Sequence, residues 1–529
     1  MKDNLSKRDL YPRVADFYNG KSVFITGAAG FVGMIILEIL LRTCPGIKSI
    51  YILIREKKGV KPEQRKEQLF QKVIFDRLKA EQPDALDKVR LVSGDVSEPD
   101  LGLIEEDTDR IIQDVSIVFH CAADLSFVKS VKNLMGANTM GTYYVVELCK
   151  KLKQLEALVY TSTICSNTNR YEMVQEVVYR LPFPSERFFQ EFREGTEESM
   201  DDLSNQCYPR WPNGYTFNKC LAENILLENA AEVPSAIIRP ALVAPIWKAP
   251  HPGFCERNST LILLSEGVGK GFIKVLFVDP DNYIDFVPVD VVANSHIVAA
   301  WKVATQRCQV PFVVNCSTYG TLSDTWVHFK NVLIKILSEF SVIPNSFRTG
   351  PDCFFTPNPL LYKIVCVYEH YVPAYVIDLL LKFSGKKLRI FFSPITYVID
   401  LLLKFSGKKL RLVRLYDLFD KAMKTATFFT IKRSKYDTTN FRTMEDDLDE
   451  ADKEIFYTDC TEVPIEKLAL SIPTGNDMFD WKSDKRTKES RLKKATQLRR
   501  LTQFLKYSFL VIMFTMVYYV TSTVYQLVA

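Results

Sequence analysis

The chain has 529 residues, long enough for two or three domains and a large core. Its 47% hydrophobic and 25% charged residues are an ordinary globular composition, not that of a disordered or fibrous chain. The net charge of +5 is concentrated: Lys482 to Lys506 holds ten Lys or Arg against two acids, a balance of +8 that leaves −3 elsewhere (5 minus 8), so nucleic-acid binding cannot account for the whole protein. Twelve cysteines contain no Cys-x-x-Cys pair, and the five histidines show no close metal spacing, which speaks against zinc and a disulfide framework. Met1 to Leu10 is polar and charged, so no secretory signal is visible, and reduced thiols in a cytosol-facing protein are the expectation.

The first predicted strand, Val23 to Thr26, runs into Thr26-Gly27-Ala28-Ala29-Gly30-Phe31-Val32-Gly33, and an amphipathic stretch follows through Arg42. In this pattern the first glycine allows a tight turn, the second lets backbone approach a pyrophosphate, and the third lets helix pack on strand. The helix N-terminus then presents free N–H groups to phosphate. A second strand, Ser49 to Ile54, ends in Arg55 rather than an acid, so a guanidinium meets the ribose edge and favours the 2′-phosphate of NADPH. Strands at Val89 to Ser93, Ile117 to His120, Ala157 to Thr161 and Ser235 to Arg239 complete the series. The third ends in Gly94-Asp95-Val96 and the fourth in His120-Cys121-Ala122-Ala123. Short apolar runs alternating with helical segments predict an α/β fold, a doubly wound parallel sheet of Rossmann type, whose ligands sit at the carboxyl ends of the strands. Each of these motifs falls at such an end.

Tyr215-Thr216-Phe217-Asn218-Lys219 puts a phenol and an ammonium four residues apart on one helix face, suiting a Tyr acid whose pKa a neighbouring Lys lowers. The segment Tyr160-Thr161-Ser162-Thr163-Ile164-Cys165-Ser166-Asn167 places hydroxyls at the end of the fifth strand, where one could bind a substrate oxygen beside Tyr215. Cys165 offers a competing reading as a thioester-forming nucleophile, but no His stands nearby in sequence to activate it.

Thr26 to Gly33, Val118-Phe119-His120-Cys121-Ala122-Ala123, Ser162-Thr163, Tyr215 to Lys219 and Ile238-Arg239-Pro240 resemble the extended short-chain dehydrogenases. With Ile54 to Gly59, Gly94 to Ser97, Asn138 to Thr142 and Val287 to Asp290, the chain more narrowly resembles the alcohol-forming fatty acyl-CoA reductases of the insect type. The resemblance covers almost the whole chain. It implies reduction of a long-chain acyl-CoA to a primary alcohol through an aldehyde, with two NADPH. It makes Thr163, Tyr215 and Lys219 the catalytic set, and Thr26, Gly27, Gly30, Phe31, Gly33, Arg55, Asp95, Val96, Ala122 and Lys219 the cofactor site. The chain departs from that pattern at Ile164-Cys165 and from Ala249 through Leu261, in the substrate loop the family implies. A hydroxysteroid-type dehydrogenase, an aldehyde-forming reductase and a non-catalytic nucleotide-binding scaffold are the alternatives on the same fold.

Domains are expected at 17–345 (reductase with substrate subdomain) and 355–475 (mostly helical), then a basic linker at 482–506 and an anchor at 507–529. Within the second, Tyr375 to Arg389 recurs unchanged as Tyr397 to Arg411, 15 residues at an offset of 22. True structural repeats drift and come in about three copies or more, so this reads as a recent duplication or a gene-model error. Tyr507 to Ala529 is 23 residues without a charge. At ~1.5 Å per residue it spans about 34 Å, enough for a bilayer core, with a packed amphipathic end-helix as the other possibility. The preceding cations place the enzyme on the cytosolic face of an intracellular membrane, endoplasmic reticulum or peroxisome, in contact with membrane lipid.

Overall fold

The computed structural model describes residues 11–256, 259–306, 311–321, 324–339, 352–375 and 412–463, with scattered positions beyond. Most of both copies of the duplicated segment and of the 482–506 and 507–529 segments lies outside the described residues. Among the described residues no helix is long and apolar enough to cross a membrane.

The described chain falls into two compact units. The first comprises Met1–Glu256, Tyr283–Ser323 and Lys432–Pro464. Its centre is a seven-stranded, all-parallel sheet. In chain order its elements are β1 (Ser22–Thr26), α1 (Phe31–Thr43), β2 (Ser49–Ile54), β3 (Val89–Ser93), β4 (Val115–His120), α2 (Gly141–Lys151), β5 (Ala157–Thr161), α3 (Gly214–Glu228), β6 (Ser235–Pro240), α4 (Val289–Gln306) and β7 (Phe312–Cys316). The strands lie in the order β7-β6-β5-β4-β1-β2-β3. The order reverses between β1 and β4, which makes the switch point where ligands bind in such sheets.

The strands read as continuous apolar runs because both faces are covered. β1, β2, β4 and β6 are buried at every position, whereas β3, at the edge, buries Val89 and Val92 and exposes Arg90 and Ser93. On one face α1 packs against α4, and both are buried along most of their length. On the other, Val145 and Val146 of α2 and Phe217, Leu221 and Ile225 of α3 join Phe24, Val118 and Leu158 in one core. β7 extends the sheet one strand beyond the six predicted. Its run Phe312-Val313-Val314-Asn315-Cys316 has the same apolar character, and Val313 pairs with Ile237.

Hydrogen bonds tie the segment from Lys432 to the sheet. Val174 donates to Lys435 O at 2.8 Å, Asp437 N donates to Val174 O at 2.9 Å, and Asn440 Nδ2 donates to Val313 O at 2.8 Å.

The second unit comprises Arg257–Asn282, Asp324–Ile431 and Ile465–Ala529. It holds a two-stranded parallel ladder, Val275–Phe277 with Phe354–Thr356, among helices Thr260–Gly269, Trp326–Glu339, Pro359–Cys366 and Leu412–Ile431. Tyr416 stacks on Phe272 at 4.4 Å and on His370 at 4.6 Å, and its hydroxyl donates to Phe272 O at 2.8 Å.

Candidate active site

The turn after β1 is built for close approach. Gly27 has φ +74°, a left-handed conformation, and a Cβ there would lie 2.6 Å from Ala122 N. A Cβ on Gly33 would lie 2.5 Å from Gly27 O, so the helix can start against the turn only without one. Gly30 caps α1 in extended conformation, leaving the first N–H groups facing outward from the sheet end. Phe31 opens the helix, its ring 6.3 Å from that of Phe254.

Thr26 and His120 lock β1 to β4. Thr142 Oγ1 donates to Asn138 O at 2.7 Å, so it accepts from His120 Nε2 at 3.1 Å. The neutral ring with its proton on Nε2 leaves Nδ1 as an acceptor, so Thr26 Oγ1, which accepts from Ala122 N at 3.3 Å, donates to Nδ1 at 2.7 Å. The network thus assigns the proton to Nε2. Burial, with the Lys219 charge second, pushes His120 down to about 3, so the ring is neutral. The Ala122 backbone is held in place by this relay, whose members were legible only as separate motifs.

At the ends of β2 and β3, Arg55 Nη1 donates to Asp95 Oδ2 at 2.8 Å, with Arg55 half exposed. Asp95 Oδ1 also takes Ser97 N at 3.0 Å and Ser97 Oγ at 2.9 Å. Burial would raise its carboxyl, but the bonds from Arg55 and Ser97 outweigh that and hold it below the usual range. Val96 is buried against Gly141, where a Cβ would stand 3.0 Å from Val96 O. Arg65 Nη1 reaches Arg55 O at 2.6 Å, bringing to this corner a second guanidinium that no sequence motif marks.

Thr163, Tyr215 and Lys219 all lie at the carboxyl end of β5 or on the facing α3, and all are buried. Asn213 caps α3, its side chain accepting from Thr216 N at 3.0 Å, and so fixes the turn that presents Tyr215. The Tyr215 ring packs 5.2 Å from Phe127. Lys219 Nζ donates to Thr161 O at 2.7 Å and lies 4.7 Å from the Tyr160 ring centroid.

The structure corrects the predicted lowering of the phenol by Lys219. Burial pushes Tyr215 up, the Cys165 sulfur adding to the rise and the neighbouring Thr163 hydroxyl opposing it. The ammonium points at the Thr161 carbonyl instead. Its own pKa falls to about 8 through burial, against the raising effect of Cys121 and Glu223. The site therefore holds a firmly protonated phenol beside an easily titrated amine. Burial pushes the Cys165 thiol to about 12, so it is no thiolate at neutral pH. Among the described residues no three His, Cys, Asp or Glu side chains are grouped to hold a metal.

The turn that would clash with any Cβ, with helix N–H groups behind it, fits a dinucleotide pyrophosphate. A family model described as "Male sterility protein" matches residues 25–296 in its NAD-binding part, and a second of the same description matches residues 391–475, beginning beyond the first copy of the duplicated segment. The chain binds a nicotinamide cofactor. It is 32% identical to fatty acyl-CoA reductase 1 of Xenopus laevis over 448 residues, 84% of this chain and 82% of that one. The Homo sapiens protein of that name is 31% identical with the same coverage. Among solved structures, the terminal R domain of the myxalamid PKS-NRPS pathway superposes with a TM-score of 0.52 at 16% identity, covering 86% of this chain and 90% of that one, a likeness of fold. The extended similarity over both halves of the chain places this protein in the fatty acyl-CoA reductase family.

Proposed function

We propose that the protein reduces a long-chain acyl-CoA to a primary alcohol and free CoA, through an aldehyde, with NADPH as reductant. The observation that carries this reading is the buried cluster of Thr163, Tyr215 and Lys219 at the carboxyl end of β5, beside the glycine turn. When bound, the nicotinamide supplies hydride. The Thr163 hydroxyl and the Tyr215 phenol donate to the thioester oxygen and stabilise charge as it grows there. CoA leaves as a thiolate, so no enzyme nucleophile is needed, in keeping with the protonated Cys165. At the aldehyde, Tyr215 gives its proton to the carbonyl oxygen. Lys219 holds the ribose, and Arg55 with Arg65 meets a 2′-phosphate, Arg55 exchanging its bond to Asp95 for charge-assisted bonds to phosphate.

The same reading makes 17–345 the reductase with its substrate subdomain, 355–475 the helical companion, and 507–529 a membrane anchor behind the basic 482–506 linker. An anchored enzyme facing the cytosol, on endoplasmic reticulum or peroxisome, suits a substrate and product that both partition into lipid. Carbonate extraction of membranes expressing the full chain tests the anchor: release into the supernatant counts against it.

For the reaction, microsomes carrying the full chain are given labelled palmitoyl-CoA and NADPH, alongside the Tyr215→Phe protein. Fatty alcohol from the parent is expected, with Tyr215→Phe reduced by about 10²–10⁴-fold, the usual span for a positioned proton donor. Aldehyde alone would cut the mechanism to one hydride. No lipid product from a folded, NADPH-binding parent would overturn the substrate assignment.

A further inference from the structure

Tyr215, Lys219 and Glu223 leave α3 at successive four-residue intervals, so all three share one helix face. The mechanism above uses the first two. Glu223 and Arg239 of β6 are both fully buried. The guanidinium grips the carboxylate with both ends, Nε to Oε1 at 2.9 Å and Nη2 to Oε2 at 2.7 Å. Arg239 is in turn tied to Val177 O at 2.8 Å and Gln175 O at 3.1 Å. The carboxylate accepts three more bonds, from the Ser162 hydroxyl, from Ser166 Oγ at 2.9 Å and from Asn167 Nδ2 at 3.3 Å. Those three donors belong to the short segment that carries Thr163. Buried ion pairs add little net stability compared with apolar packing, so stability alone is weak ground for this arrangement.

We propose that Glu223 is a positioning residue for the acid site: it ties the Thr163 segment to the helix bearing Tyr215, and it places a fixed negative charge one turn from Lys219. The inference rests on the reductase reading above. The groups that face Lys219 are Tyr215 and Glu223 on its own helix, Tyr160 and the Thr161 carbonyl of β5, and His120 and Cys121 at the end of β4. The phenols and the thiol are held protonated by burial and the imidazole is neutral. Of these groups, then, Glu223, paired with the Arg239 guanidinium of β6, is the one that favours the ammonium. Its loss lets Lys219 shed its proton at lower pH.

The test uses the full chain and three variants, Glu223→Gln, Glu223→Asp and Ser166→Ala, each checked by circular dichroism and thermal melting. NADPH affinity is followed by cofactor fluorescence, and turnover of palmitoyl-CoA by product, both against pH. Glu223→Gln is expected to move the alkaline midpoint of both curves down by roughly one pH unit, the scale of a nearby charge. It should also lower kcat about 10- to 100-fold, as small misplacements do, with little change in KM. Glu223→Asp should restore the midpoint without restoring kcat. Ser166→Ala should lower kcat and leave the midpoint in place. An unmoved midpoint in folded Glu223→Gln, or a kcat that falls only with the folded fraction, overturns the proposal. If Glu223→Gln does not fold, Ser166→Ala decides, since unchanged kcat there defeats the tether. A parent that binds NADPH but reduces no acyl-CoA defeats the substrate reading, while the binding midpoint still judges Glu223.

Discussion

Gly27 has room for a hydrogen and nothing larger, because the Ala122 backbone stands where a Cβ would be. Gly27→Ala combines that clash with a positive φ, and such strain costs on the order of 1–3 kcal/mol. Its expected outcome is a lower melting temperature and NADPH binding too weak to follow by cofactor fluorescence. The proposed preference for NADPH is tested at Arg55. Arg55→Ala should weaken NADPH binding about 10- to 100-fold while NADH binding changes little, since hydrogen bonds to charged groups contribute about 1.5–3 kcal/mol. Equal weakening of the two dinucleotides would remove Arg55 from the 2′-phosphate. Asp95 complicates this position in a physically useful way. It keeps the guanidinium ordered, yet it competes for the same donors.

Helices and strands then decide how well those residues are aimed. α3 delivers Tyr215, Lys219 and Glu223 on one face only if its first turn holds, and Asn213 is the cap that closes that turn. Asn213→Ala removes the acceptor for Thr216 N and should cost about 1 kcal/mol, the usual contribution of an N-cap. Because the frayed turn contains Tyr215, kcat should fall more than NADPH affinity does. Urea unfolding and steady-state kinetics on the same preparation check both halves; equal losses in the two would locate the damage elsewhere. α1 presents a different element-scale feature: Gly33 to Leu41 are all buried, so the helix that faces phosphate is clamped between the sheet and α4. A rigid seat of this kind keeps its N–H groups aimed before any anion arrives.

Across the molecule, the buried ionisable groups give stability and function opposite pH dependences. His120 is depressed to about 3 and His296 to about 4, in both cases first by burial, so both rings are neutral in the fold. An unfolded chain takes up those protons near pH 6.5, the ordinary value. Their contribution to stability is thus complete above about pH 6.5 and is lost as pH falls toward 4 and 3. Glu176, raised to about 7 by burial, works the other way, so the parent curve alone is a sum. The clean measurement is the difference in urea midpoint between pH 7 and pH 5 for the parent and for His120→Gln. The variant should lose less on acidification, and an identical loss would contradict the assigned neutral ring. Lys219 acts at the alkaline end. Its ammonium is present below about pH 8, so NADPH affinity should decline as pH rises through that value. Its effect on stability has the opposite sign: the cost of burying the charge is relieved between about 8 and 10.5.

Local chemistry carried much of this protein in its sequence. Apolar runs ending in Thr26, Ile54, His120 and Thr161 are buried parallel strands, because only a strand covered on both faces can sustain such a run. The glycine turn and the Tyr215–Lys219 pair are legible for the same reason, since spacing within one turn or one helix face is set by backbone geometry. Three features could be decided only in the folded chain. Lys219 points at Thr161 O rather than toward the phenol, so the pKa of Tyr215 follows burial, which no spacing encodes. The segment after Lys432 hydrogen-bonds Val174 and Val313, more than a hundred residues away, so the unit boundary follows pairing across the sheet edge. Glu223 meets Ser162, Ser166 and Asn167 of the segment after β5 and Arg239 of β6. Sequence determines which groups a helix face offers; tertiary packing decides which partners desolvate them, and desolvation sets their charge.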